Sequence, residues 1–169
     1  MLISAGMRDA IATHLGSRQV SRVLYGSIIG LALIVALEAH PPSAGAIAVS
    51  LLATAIAVGL AELYSEIVGT ETRTRARLGR EQIIDILDEI GAVGSGIAFP
   101  SVFFLLAAVG AIDRDAAFAI AKWSGLGLIT AYGFAAARLT GDTVLRSLLR
   151  AGVAGLIAAF LIAIKALLH

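Results

Sequence analysis

The feature that most constrains this chain is the apolar run at 44–68, which carries no charge until Glu62 and Glu66 near its far end. At 1.5 Å per residue such a run makes a helix of roughly 37 Å, longer than the roughly 30 Å hydrocarbon core of a bilayer. Similar runs lie at 22–39, 97–112, 116–137 and 144–168. Hydrophobic residues make up 59% of the chain and charged residues 15%, with a mean hydropathy of +0.92. A soluble domain carries about 25% charge. In hydrocarbon, backbone polar groups are satisfied within helices or closed barrels, and these long runs suit helices. The expected fold is therefore an all-α polytopic membrane protein with five transmembrane helices.

Several classes fall away. With no cysteine, disulfides and thiolate metal sites are excluded. The first twenty residues, with Arg8, Asp9, His14 and Arg18, do not form a cleavable signal peptide. A net charge of +1 points to no nucleic-acid partner. His14, His40 and His169 fall far apart in the expected topology, which argues against a histidine-based zinc site. Gly125-x-Gly127 lies in an apolar helix without the context of a phosphate loop. With no nucleophile–base pair in view, no enzymatic activity is expected.

Along the chain, 1–21 reads as an amphipathic arm, with Ile11, Leu15 and Val20 able to lie on a membrane surface. The five-helix domain covers 22–169. Its first span contains Gly26-x-x-x-Gly30, which lets another helix approach closely, and ends before Pro41-Pro42, where a helix cannot continue. Past the second span come Arg73, Arg75, Arg77 and Arg80, in a short acidic, helical cytoplasmic segment at about 71–91. There Glu81, Asp85 and Glu89 share one face and Ile83, Ile84, Leu87 and Ile90 the other. Gly91, Gly94 and Gly96 are expected to break that helix before the third span. Lys122 and Trp123 are expected to anchor the fourth span at the interface. The N-terminal arm and the second-to-third and fourth-to-fifth connections hold ten of the thirteen Lys and Arg. The positive-inside rule thus places the N-terminus in the cytoplasm and the C-terminus outside.

The candidate metal-ligating residues are Glu62, Glu66, Glu71, Glu81, Asp85 and Glu89. Glu62 and Glu66 are four apart, so on a helix they point the same way. Carboxylates inside a membrane cost roughly 2.5–3.5 kcal/mol each by insertion scales unless paired, hydrated or protonated. Oxygen-rich clusters bind Mn²⁺, Mg²⁺ or Fe²⁺. A carboxyl at a membrane edge can also carry a proton, because loss of water disfavours its charged form. The plain alternative is that Glu62 and Glu66 pair with Arg73, Arg75 or another helix's arginine and only fix the packing.

Three stretches carry a family resemblance. Ala61-Glu62-Leu63-Tyr64-Ser65-Glu66 is similar to a Gly-Glu-Tyr/Trp-x-Ser signature at the end of a second span. The acidic segment 71–89 stands where a glutamate-rich cytoplasmic insert belongs. Gly133-x-x-x-Ala137-Arg138-Leu139-Thr140-Gly141-Asp142-x-x-Leu145-Arg146-Ser147-x-x-Arg150-x-Gly152 resembles a fourth-to-fifth connection. Together they resemble the vacuolar iron transporter family, in divergent form. The first span lacks the family's aspartate before a glycine, and the only methionines are Met1 and Met7.

The resemblance implies a homodimer that moves Fe²⁺ or Mn²⁺ out of the cytoplasm in exchange for protons. Glu62 would take the signature-glutamate role, and Glu71, Glu81, Asp85 and Glu89 would match the metal-capturing insert more loosely. No cofactor beyond the transported cation is expected. Expected partners are membrane lipid, a divalent metal ion, protons and a second copy. The scarcity of Lys beside abundant Ala, Gly and Arg fits a bacterial coding bias and thus a plasma membrane. The competing reading is a non-transporting membrane scaffold or accessory subunit with structural glutamates.

Overall fold

The structure, a computed structural model, describes residues 18–139 and, beyond them, only positions 143, 145, 149, 152, 153, 156 and 160. The described residues form five α-helices and no strand: α1 (Arg18–Leu37), α2 (Ala44–Thr74), α3 (Arg80–Ala98), α4 (Ser101–Ala108) and α5 (Arg114–Leu139). Most of the arm at 1–21 and nearly all of the fifth span at 144–168 lie outside the described residues.

Local chemistry explains most helix ends. Ser43 follows Pro41-Pro42 and caps α2, its hydroxyl accepting from the Ala46 N–H at 3.3 Å. α2 then runs 31 residues, past the last apolar residue Val68, and stops at Arg75 in the left-handed conformation. Gln82 at the start of α3 reaches back to accept from the Gly79 N–H at 2.9 Å. Gly110, at φ +78°, opens the turn after α4, and the Asp113 carbonyl accepts from Ala117 N–H to start α5.

The glycines expected to break the acidic helix do not break it. α3 continues through Gly91, Gly94 and Gly96 to Ala98, and the interruption comes at Phe99-Pro100, where α3 and α4 meet at a 45° bend. Proline removes the N–H that would have continued the ladder. Gly96 sits where helices cross: a Cβ there would come within 2.5 Å of the Val23 carbonyl oxygen and 2.7 Å of the Ser27 nitrogen. A Cβ at Gly26 would collide with the Val93 carbonyl, and one at Gly30 would meet Ile97 Cα at 3.2 Å. The helix that approaches Gly26-x-x-x-Gly30 is therefore the chain's own α3. Small residues let the two backbones touch.

α1 is the centre of the bundle. It packs most extensively on α3 and next on α5, while α2 lies across α3 and α4. One core cluster joins Ile34, Ile47, Leu51, Phe104 and Phe118, at the end of the bundle where α1 finishes and α2 begins. A second joins Leu31, Val35 and Ile129 between α1 and α5, and a third joins Ala55, Val93 and Ile97 between α2 and α3. Phe104 stacks edge-on against Phe118 with centroids 4.9 Å apart, which makes it a packing residue. Among the described residues α2 is long and apolar enough to cross a membrane by itself, and the bent α3–α4 pair passes the same test together. The apolar stretch of α1 is shorter, at Ser21–Leu37.

Candidate functional site

Arg22, in the second turn of α1, lies among three carboxylates from two other helices. Its Nη1 donates to Glu62 Oε2 at 2.5 Å, and its Nη2 donates to Glu89 Oε2 at 3.0 Å. Glu66 Oε2 stands 3.9 Å from the same Nη2. The side chains of Arg22, Glu62 and Glu89 are 26%, 18% and 19% exposed, so the cluster is only partly hydrated. The glycine crossing builds this site: by letting α1 lie on α3, it brings the start of α1 within reach of Glu89. The four-residue spacing of Glu62 and Glu66 does the rest.

Glu66 shares a second arginine, with Arg73 Nη2 3.4 Å from its Oε1, but Arg73 is 68% exposed and screened by solvent. Thr70 links the two, accepting from Arg73 at 3.1 Å and donating to Glu66 at 3.4 Å.

The other expected ligands lie elsewhere. Glu71 accepts the Leu78 N–H at 3.4 Å and so closes the α2–α3 turn. Glu81 and Asp85 are exposed on the outer side of α3 and do not join the Arg22 cluster. Glu89 was expected on their face but turns inward, because α3 is buried along Ile86, Val93 and Ile97 and Glu89 borders that strip. Among the described residues no three His, Asp or Glu side chains form a ready metal-binding group.

At the other end of α1, Glu38 accepts from Lys122 Nζ at 2.6 Å. Lys122 is thus half-buried against Glu38 at the end of α1, whereas Trp123 is largely exposed. The sequence allowed Arg73, Arg75 or another helix's arginine as partners; Glu66 does meet Arg73, and the other helix's arginine, which the sequence did not name, is Arg22. The available signal was a guanidinium that lies inside the apolar stretch Ser21–Leu37.

The chain matches no known family model, no curated protein and no solved structure. The likeness to vacuolar iron transporters rests on the residues quoted for it.

Proposed function

We propose that this chain is a polytopic membrane protein that exports a divalent cation, Fe²⁺ or Mn²⁺, from the cytoplasm in exchange for protons. Glu62, Glu66 and Glu89 are the carboxylates the cation would meet. The observation that carries this reading is the convergence of these three carboxylates, from two helices, on one partly dehydrated node around Arg22. Arg22 then acts as a resident counter-charge, which an entering dication displaces or shares. Five spans, a cytoplasmic N-terminus, an outer C-terminus, a homodimer and a bacterial plasma membrane belong to the same proposal, on charge distribution and resemblance.

The test is uptake of Mn²⁺ and Fe²⁺ into sealed proteoliposomes, with and without a pH gradient, for the wild type and Glu62→Gln. Gradient-dependent uptake that falls at least tenfold in a folded Glu62→Gln protein is the expected outcome. Wild-type flux in that variant rejects Glu62 as a ligand.

A second reading has its own observation. Arg22 already holds Glu62 and Glu89 at hydrogen-bond distance, which suits a scaffold whose ion pairs fasten three helices. Absence of flux for both ions, from a folded and correctly inserted protein, favours that reading.

A further inference from the structure

The turn between α2 and α3 is the most basic part of the described chain, and its arginines are not used by the fold. Arg75, Arg77 and Arg80 are exposed and, among the described residues, form no ion pair, although Glu81, Asp85 and Asp88 follow closely. Arg75 ends α2 at φ 53°, ψ 29°. That left-handed conformation is natural for glycine and strained for a residue with a Cβ. An arginine at a cap position that glycine fills better is not there for the cap, and an observed backbone outlier is a fair starting point for a functional reading.

The surroundings indicate what these guanidiniums face. A Cβ at Gly59 would come within 3.2 Å of Ile90 Cγ2, and the Leu78 N–H reaches Glu71, so α2 and α3 form an antiparallel hairpin of known register. In that register Leu87 is level with Glu62, Ile84 with Ser65 and Arg80 with Gly69. Arg80, Ile83, Ile84 and Leu87 stand at i, i+3, i+4 and i+7, one face of α3. Glu81, Asp85 and Asp88 occupy a separate face. Ile83, Ile84 and Leu87 are exposed, as are Leu60, Tyr64 and Val68 at the same levels of α2. Exposed apolar side chains thus climb both helices and stop where the arginines begin. Along this face, though not along the exposed Glu81, Asp85 and Asp88 face, the profile is that of a hydrocarbon boundary topped by a phosphate layer.

We propose that Arg75, Arg77 and Arg80 bind the headgroups of anionic phospholipids in the protein's own bilayer, with Ile83, Ile84 and Leu87 against the adjoining acyl chains. The surface rests on α2 being a membrane span, not on cation transport. Each guanidinium offers paired donors to a phosphate. Juxtamembrane arginines favour anionic surfaces by about fivefold each.

The full-length protein, purified in mild detergent with mixed phosphatidylglycerol and phosphatidylcholine added, is examined for retained lipid by native mass spectrometry. The wild type is expected to retain phosphatidylglycerol over phosphatidylcholine by at least tenfold, with the preference lost in Arg75→Gln/Arg77→Gln/Arg80→Gln. Arg75→Gly separates binding from folding: it is expected to melt at or above the wild-type temperature while its preference falls about fivefold. Equal retention of both lipids by the wild type overturns the proposal, as does full preference in the triple variant. Displacement of the lipid by millimolar inorganic phosphate also overturns it, because the site would then be one for a free anion. Proof that α2 spans the bilayer, from labelling of its two ends, distinguishes failure of this surface from failure of the membrane reading.

Discussion

At the residue scale the molecule turns on Arg22. A guanidinium inside the first apolar helix is tolerable because two carboxylates meet it at hydrogen-bond distance. Removing it takes a charge-assisted hydrogen bond from each in a partly dehydrated place, which costs more than the pair itself contributed. Arg22→Gln is expected to lower stability by about 2–3 kcal/mol, read as thermal unfolding in detergent. Adding Glu62→Gln and Glu89→Gln to that variant is expected to recover most of the loss, because neutral amides can hydrogen-bond to one another. No recovery would mean that Arg22 acts through its packing rather than its charge. The glutamates were legible as unusual in the sequence, but their partner was not: Glu62 lies 40 residues from Arg22 and Glu89 lies 67. Nothing local to α2 or α3 encodes which arginine the fold delivers to them.

At the scale of elements, α1 and α3 decide the architecture, and they meet through glycine. Glycine spacing along a helix is ambiguous, since the same residue weakens an isolated helix and permits a close crossing. Their series in α3 looked like a stop signal, and tertiary contact turned part of it into an interface. The three glycines are now distinguishable. A Cβ at Gly91 or Gly94 would meet nothing within 4 Å, whereas one at Gly96 meets backbone. Gly94→Ala is therefore expected to be neutral or to stabilise by up to about 1 kcal/mol. Gly96→Ala is expected to destabilise by about 1–3 kcal/mol, since a backbone neighbour cannot swing away. Equal melting temperatures for the two variants would show that α1 and α3 do not cross where the structure puts them. α2 was the most legible element, with its start set by Pro-Pro-Ser and its length by an uninterrupted apolar run. The bend at Pro100 was not legible: a proline near the start of the apolar run at 97–112 is tolerated in a continuous span, and only the structure shows α3 and α4 meeting there at 45°.

At the scale of the whole molecule, α1 is pinned near both ends, to α2 and α3 through Arg22 and to α5 through Glu38 and Lys122. The two charged nodes, Arg22 and Glu38 just past the end of α1, are sixteen residues apart, roughly 24 Å along a helix. Apolar clusters fill the bundle between them. The chain has no cysteine, so single introduced cysteines report sidedness directly. Pro41→Cys, before α2, and Ala76→Cys, after it, are expected to react with a membrane-impermeant maleimide from opposite sides of sealed vesicles. Labelling of both from one side would remove α2 as a span and the transport proposal with it.

Composition and periodicity alone determined that this chain is helical, where its longest helix lies, and that its acidic residues sit next to apolar ones. Those properties follow from the spacing of side chains along a single helix and need no partner. Which glutamates face inward, which glycines touch and which arginines stay in solvent were decided only in three dimensions. α3 illustrates the reason. Glu81, Asp85 and Glu89 differ little in sequence, yet the crossing at Gly26 and Gly96 rotates Glu89 alone toward Arg22, because the buried strip of the helix is chosen by the backbone that can come closest.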